Sequence, residues 1–323
     1  MTEFLFELAE IVVEHEPLAQ HTTFGLGGSA RWFARPHSAD QIAGLLRRCG
    51  HEGIPHAVLG LGANVLVSDE GLDGMVLRLS APEFREVVYG NGSSAGRRGR
   101  GPRTGGSGRV TITAGAGADM HRFVLETVRR GLRGLEVLAG IPGTLGGAIR
   151  MNAGGRCGQI ADVVRELTVV DKHGSVNRLS PSQAGFGYRS TSLDGAVIYQ
   201  AKLDLTPDDP ARLYEQFLAI WDHKKRTQPL QEQSAGCVFK NPPGLKAGAL
   251  IDRAGLKGKS IGGARVSEVH ANFIVAKEGA TGGDVFALIG QIRREVAQRF
   301  GVELELEIEV WGRQRTRSPE PIL

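Results

Sequence analysis

Only three cysteines occur in 323 residues: Cys49, Cys157 and Cys237. They are far apart, odd in number and form no C-x-x-C pair, which excludes a disulfide framework and argues against a structural zinc site. That usage fits a reducing compartment. Aromatic residues are scarce, at 6%, and no apolar run approaches the ~18 residues that a membrane-spanning helix needs. The N-terminal stretch MTEFLFELAEIVVEHEPL holds three glutamates by residue 10 and no basic segment. It reads as an amphipathic helix rather than a signal peptide, and the expected location is cytoplasmic. Both common nucleotide fingerprints are missing. There is no G-x-x-x-x-G-K-[ST], and GLGANV puts Val65 where the last glycine of G-x-G-x-x-G belongs.

Basic charge is not spread over the chain. The formal net charge is +4, yet the segment NGSSAGRRGRGPRTGGSGR (91–109) alone holds five arginines and no acid, so the remainder stands at −1. This segment is expected to be a flexible surface loop between FREVVY and VTITAG. A phosphate-contacting arm is the alternative. No aromatic residues are interleaved to stack on bases, so a nucleic-acid partner is not expected.

Glycine, by contrast, is abundant. Its 46 residues are roughly twice the ~7% average, which implies many turns with positive φ or backbone brought close to a ligand. Short strands alternate with helices. HSADQIAGLLRRCGHEG opens with a Ser-x-x-Gln capping box at Ser38, and Asp119 can cap MHRFVLETVRRG. VRELTVVDKHGSVNRLS reads as a hairpin turning at Lys172-His173-Gly174. AVIYQAKLDL is a long strand, and ARLYEQFLAIWDHKKR is a helix. GDVFALIGQIRREVAQRF places Val285, Leu288, Ile289, Ile292 and Val296 on one face. The terminal VELELEIEVW alternates strictly, with Val302, Leu304, Leu306, Ile308 and Val310 toward the core and Glu303, Glu305, Glu307 and Glu309 away from it. The fold class is α+β. The expected domains are 1–80, 81–218 including the loop 91–109, and 219–323, with the last strand (about 302–312) able to return to the first.

Three glycine-rich turns stand out: HTTFGLGGSARWFARP (21–36), LGLGANVLVSD (59–69) and LAGIPGTLGGAIRMNAGG (138–155). Each offers successive backbone amides with little side-chain bulk, as an anion-binding nest requires, although any one of them can be simply a turn. In FGYRSTS (186–192), Arg189 is either a packed surface cation or a fork aimed at a carboxylate or phosphate. In QSAGCVFKNP (233–242), Cys237 is either a buried structural thiol or a functional one. Periodicity does not single out one of the four terminal glutamates.

The order of these motifs is informative. TTFGLGG, GLGANVLVSD, LAGIPGTLGGAIRMNAG, FGYRSTS, SAGCVFKNP, AGALIDRAGLKGKSIGGARVSEVHANFIV and GVELELEIEVWG together resemble the UDP-N-acetylenolpyruvoylglucosamine reductases (MurB) from about residue 20 to 312. The resemblance implies a two-part FAD-binding domain of the vanillyl-alcohol-oxidase (PCMH) type and a C-terminal α+β substrate-binding domain. It implies non-covalent FAD, NADPH as co-substrate, and reduction of UDP-N-acetylglucosamine enolpyruvate to UDP-N-acetylmuramate for peptidoglycan precursor synthesis. The flavin would pass hydride to C3 of the enolpyruvyl group, and charge would spread from C2 onto the carboxylate. By match to the family motifs, Arg189 and a protonated Glu307 would stabilise that charge, and Cys237 would protonate C2, where the family carries serine or, less often, cysteine.

Under the same resemblance, Gly60, Gly62, Ala63, Asn64 and Val65, with Gly140, Ile141, Pro142, Gly143, Thr144, Gly146 and Gly147, would hold FAD. Tyr188, Lys225, Arg226, Asn241 and His270 are weaker candidates for the UDP-sugar. The connection from Arg189 to Cys237 lacks an extended loop, which resembles the family's second subtype, without a substrate-covering tyrosine. Glu309 stands where the family is commonly basic. A thiol with an ordinary pKa of ~8.5 is mostly protonated near neutral pH, and Lys240 is expected to point away from it. A monomer is expected. Two other classes compete: a different flavin oxidoreductase of the same fold class, which would not need Arg189, Cys237 and Glu307 as a set, and a binding protein acting through the arginine-rich loop, which deletion of 91–109 would disable.

Overall fold

The computed structural model describes residues 10–90 and 108–312. The arginine-rich segment, except for its last two residues, lies outside that range. The described residues fall into two compact units. One contains 10–34, Leu61–Val76 and 225–312; the other contains Arg35–Gly60, 77–90 and 108–224.

In the first unit, the described part of the expected N-terminal helix is a strand instead. Val12–Pro17 pairs antiparallel with Ser29–Ala34, Val12 facing Ala34 and Pro17 facing Ser29. The partner strand offers buried Ala30, Trp32, Phe33 and Ala34, and pairing with it outweighs the modest helical propensity of a Val-Val segment. His15, at φ 54°, sits between the Glu14–Trp32 and Glu16–Ala30 pairs. A left-handed residue there is incompatible with a continuing right-handed helix.

The helix Gly282–Phe300 buries the face expected of it, Val285, Leu288, Ile289, Ile292 and Val296, against a core containing Val238, Phe239, Leu250, Leu304 and Ile308. Burying a side chain of this size contributes about 1.5–3 kcal/mol each before entropy is charged. Its N-terminus is held twice. Thr281 and Asp284 form a capping box, and Asp69 accepts from the Gly282 and Gly283 N–H groups at 2.6 and 2.8 Å.

The alternating C-terminal segment is only partly a regular strand. Leu304 and Ile308 are buried and Glu303 and Glu305 exposed, as the alternation requires. Ladder pairing, however, is confined to Glu309–Trp311, which runs parallel to Val65–Val67. Upstream of it, Leu306 makes a single bridge to Phe239. The backbone groups of 305–309 are divided between two turns rather than one neighbouring strand, so no continuous ladder forms.

The second unit is built on an antiparallel sheet in the order Val176–Leu179, Val164–Val170, Val197–Pro207, Val110–Gly115, Val87–Tyr89. The hairpin turning after Val170 is the one expected, with Val170 facing Val176. Ala39–Glu52 and Met120–Arg129 are helices capped by Ser38 and Asp119. The Gln41 side chain accepts from His37 N–H rather than from Ser38, so the box closes one residue early. Pro210–Thr227 is helical as expected and belongs to this unit as far as Lys224. Mixed helices and antiparallel strands make the fold α+β. Among the described residues no helix is long and apolar enough to cross a membrane.

Candidate active site

Cys237 follows Gly236, whose left-handed φ of 78° favours a residue without Cβ. The turn is fastened on two sides. Val238 N–H donates to Asn272 O at 2.8 Å, and the Asn272 side chain both accepts from Phe239 N–H at 3.0 Å and donates to Phe239 O at 2.8 Å. On the other side Glu307 N–H donates to Val238 O at 2.8 Å, and Lys240 N–H donates to Glu305 O at 2.8 Å. Cys237 is half-buried and forms no disulfide. The same unit therefore places Cys237 and Glu307 one hydrogen-bonded residue apart, although they are distant in sequence.

The GLGAN turn completes this arrangement. Asn64 Nδ2 donates to Glu307 O at 3.1 Å, and Glu309 N–H donates to Asn64 O at 2.9 Å. The Glu307 backbone is thus held from both directions, between the Asn64 turn and the Cys237 turn. Of the four terminal glutamates, Glu303 and Glu305 are solvated while Glu307 and Glu309 are half-buried. Glu309 Oε2 accepts from Trp311 Nε1 at 3.2 Å. The Lys240 ammonium lies 3.4 Å from Glu305 Oε2, a carboxylate that is 77% exposed. The lysine head group is therefore directed to a solvated partner in a pair worth little to stability.

Gly62 has a reason of its own for being glycine. At φ 66°, an added Cβ would lie 2.3 Å from His21 O and 2.5 Å from Thr22 Cα. Gly62 O accepts from Thr23 N–H at 3.1 Å and from Thr23 Oγ1 at 3.2 Å, and the same hydroxyl donates to Ser234 O at 2.6 Å. Thr23 so links the first glycine turn to the second and to the approach of the cysteine turn. No sequence signal singled it out.

Of the weaker candidates in this unit, Asn241 Oδ1 accepts from Ala247 N–H at 3.0 Å and starts the helix Ala247–Arg253. His270 Nδ1 accepts from Asn272 N–H at 3.2 Å, which puts the ring proton on Nε2. Burial, and the neighbouring Lys257 charge, hold its pKa below the usual histidine value. His270 is thus a neutral donor near pH 7, not a cation for phosphate. Lys225 and Arg226 lie exposed at the end of Pro210–Thr227.

In the second unit, Tyr188 and Arg189 form the tip of a tight turn. Gly187 and Ser190 exchange backbone hydrogen bonds of 3.0 and 3.4 Å. Arg189 itself is left-handed, at φ 54°. Its guanidinium lies 5.3 Å from the Tyr188 ring centroid, and Nη2 donates to Gly154 O at 2.8 Å. Tyr188 is 53% exposed.

The third glycine turn is in this unit with Gly60. An added Cβ at Gly60 would meet Thr144 Oγ1 at 2.7 Å, so these two turns pack on each other. The N–H groups of Ile141, Leu145 and Gly146 go to Leu138, Ala118 and Ala116 carbonyls, and that of Gly147 goes to Thr144 Oγ1. Gly143 is different. At φ 133° its added Cβ would meet nothing within 4 Å. Left-handed backbone beside open space is a cradle that a phosphate can approach, so this turn fits a dinucleotide cofactor.

The remaining cysteines differ in exposure. Burial, with the Glu52 charge adding to it, pushes the Cys49 thiol up to about 11, whereas Cys157 is exposed. Since the thiolate is the nucleophile, a maleimide at pH 8 is expected to label Cys157 first, Cys237 more slowly and Cys49 only after unfolding. A mass-spectrometric time course checks the order; prompt labelling of native Cys49 would contradict it. Among the described residues, no three His, Cys, Asp or Glu side chains come together as a metal site.

Residues 30–180 match the FAD binding domain family, and residues 228–311 match the C-terminal domain of UDP-N-acetylenolpyruvoylglucosamine reductase. The chain is 42% identical over 299 residues to UDP-N-acetylenolpyruvoylglucosamine reductase 2 of Symbiobacterium thermophilum, covering 92% of this chain and 91% of the relative. It is 39% identical over 318 residues to the reductase of Heliobacterium modesticaldum, covering 97% and 94% of the two chains. The crystal structure of UDP-N-acetylenolpyruvylglucosamine reductase from Thermus caldophilus superposes with a TM-score of 0.74 at 36% identity, over 93% of this chain and 98% of that one.

Proposed function

Because the chain belongs to the UDP-N-acetylenolpyruvoylglucosamine reductase family, we propose that Arg189, Cys237 and Glu307 carry its reaction, with NADPH as the reductant. The protein is a flavin oxidoreductase that binds FAD and reduces UDP-N-acetylglucosamine enolpyruvate to UDP-N-acetylmuramate. The observation that carries the residue assignment is the Glu307 N–H to Val238 O bond of 2.8 Å, which brings an acid-bearing segment to the residue after Cys237.

FAD, when bound, would supply the hydride chemistry that links NADPH to C3 of the enolpyruvyl group. The N–H groups of Gly140, Gly143 and Thr144, and those of Ala63 and Asn64, are the ones we assign to the cofactor. Those of Ile141, Leu145, Gly146 and Gly147 are already committed within the fold. Gly60 and Gly62 serve by letting neighbouring backbone and Thr144 pack closely, and Val65 by its ladder pairing with Glu309. Ile141 and Pro142 shape the loop before Gly143.

When hydride has reached C3, negative charge spreads from C2 onto the substrate carboxylate. Fixed donors aimed at that charge are the largest stabilising contribution available to a protein. Arg189 supplies a planar fork suited to a carboxylate, and protonated Glu307 a second donor. The Cys237 S–H bond then breaks as the C2–H bond forms, and the resulting thiolate takes a proton from solvent. Tyr188, Asn241, Lys225, Arg226 and His270 remain candidates for the UDP-sugar; neutral His270 would act by its Nε2–H and not by charge. The chain from Arg189 to Cys237 holds the strand Val197–Pro207 and the helix Pro210–Thr227, with no long loop, which supports the second subtype.

We also assign a cytoplasmic monomer that has no nucleic-acid partner and no membrane insertion. Light scattering on the purified protein tests the monomer. The activity is tested anaerobically in two halves. The protein is expected to purify yellow, to bleach with NADPH, and to regain its colour on addition of the enolpyruvyl substrate alone. A flavin that bleaches but is not reoxidised by that substrate would sink the assignment.

A further inference from the structure

The last part of the third glycine-rich stretch fastens the arginine turn at alternate residues. Thr191 Oγ1 donates to Arg150 O at 3.1 Å, Asn152 Nδ2 donates to Gly187 O at 2.9 Å, and Arg189 Nη2 donates to Gly154 O at 2.8 Å. Of these three fastenings, the one at Asn152 is made by a side chain on the clamping segment itself, from a residue only 1% exposed. We propose that Asn152 is a positioning residue for Arg189: it fixes both the backbone from which the guanidinium springs and the carbonyl on which it rests. This rests on Arg189 as the donor to the substrate carboxylate.

The amide is used at both ends. Nδ2 donates also to Gln159 Oε1 at 3.0 Å, and Oδ1 accepts from Ala161 N–H at 3.3 Å. Two acceptors on the nitrogen and one donor on the oxygen settle which way the amide points. Gln159 pairs with Gly154 in a short hairpin, so by holding Gln159 the amide holds the strand whose Gly154 carbonyl receives Arg189. By holding Gly187 it holds the base of the tip. One side chain therefore sets the distance from the Arg189 backbone to its acceptor.

Such a device has work to do here. Arg189 sits at φ 54°, a left-handed conformation that costs free energy in any residue with a Cβ and persists where the surroundings over-determine it. Asn152 is itself left-handed, at φ 41°, which asparagine tolerates better than other side chains of similar reach. The position thus needs both an amide and a left-handed backbone.

A buried asparagine with a merely structural role would, when removed, lower stability and flavin content and slow both halves of the reaction alike. A positioning residue slows the half that needs Arg189. In Asn152→Ala we expect flavin content and the rate of bleaching by NADPH to stay within about twofold, and reoxidation by the enolpyruvyl substrate to slow about 10–100-fold. The deciding measurement is a double-mutant cycle with Arg189→Lys. If Asn152 acts through Arg189, the double variant will reoxidise no more than about threefold slower than Arg189→Lys alone. Full multiplication of the two effects, or normal reoxidation in Asn152→Ala while Arg189→Lys is slow, would overturn the inference and leave the role of Arg189 standing. Normal reoxidation in both Arg189→Lys and Arg189→Ala would remove the role of Arg189 and this inference with it. Should Asn152→Ala lose flavin, Asn152→Asp replaces it in the cycle. It keeps the volume and the acceptor for Ala161 N–H and, when ionised, lacks the donor to Gly187.

Discussion

Cys237→Ala is expected to leave bleaching of the flavin by NADPH unchanged and to slow reoxidation by the enolpyruvyl substrate by ~10²–10⁴-fold, the usual worth of a positioned acid. Proton delivery to C2 occurs only in the second half of the reaction, so the first half is an internal control on folding and flavin binding. Alanine removes the proton donor. The turn is held by backbone bonds at Val238 and Phe239 and by the left-handed Gly236, none of which uses the thiol. Cys237→Ser keeps an O–H in nearly the same place and should retain substantial activity. Stopped-flow absorbance at the flavin band measures both halves on one preparation. Reoxidation of Cys237→Ala at the normal rate would remove the acid role from Cys237 while leaving the family assignment intact.

The second large effect is on stability. Gly62→Ala combines a left-handed backbone with a collision, because the new Cβ would lie 2.3 Å from His21 O, a main-chain atom that cannot swing aside. The conformational part costs about 1–2 kcal/mol. Moving backbone to relieve the overlap adds roughly 1–3 kcal/mol. The melting temperature should fall by roughly 5–15 °C. Gly301 is the matched control. It has the same φ of 66° as Gly62, but an added Cβ there meets nothing within 4 Å. Gly301→Ala should therefore show the conformational part alone, a loss of about 1–2 kcal/mol. Calorimetry on the two variants separates strain from clash; equal losses would mean that the backbone at 21–22 yields freely.

Much of the scaffold was legible locally. The capping signals at Ser38 and Asp119 lie next to the helices they start, and the Val285–Val296 face repeats at helical spacing, so each could be read within a few residues. The same local logic failed at Val12–Pro17, because a strand's stability resides in its partner, and Ser29–Ala34 is separated from it by two turns. It failed in part at Val302–Val310, where alternation correctly marked Leu304 and Ile308 as buried but could not say that the intervening backbone groups would go to Asn64 and Val238.

The site divides in the same way. Composition and glycine turns gave an anion-binding tendency without a ligand, and the order of seven motifs gave the family and with it the roles proposed for Arg189, Cys237 and Glu307. Three things could not be found that way: Thr23 as the hydroxyl tying two glycine turns, Asn152 as the amide beneath the arginine turn, and Asn272 as the clamp on Phe239. Each acts through a backbone atom far away in sequence, and a backbone atom has no residue type to be recognised.

By itself, then, the sequence determined the helices with their caps, the hairpin, the α+β class, the family and the residue types available for hydride and proton chemistry, since those follow from spacing and side-chain chemistry along the chain. Only the tertiary structure decided which glycines exist for close packing and which face open space, where the Lys240 ammonium points, and which glutamate backbone is held against the Cys237 turn. Those are distances between atoms that the chain order does not relate, and hydrogen bonds and overlaps exist only once such distances are fixed.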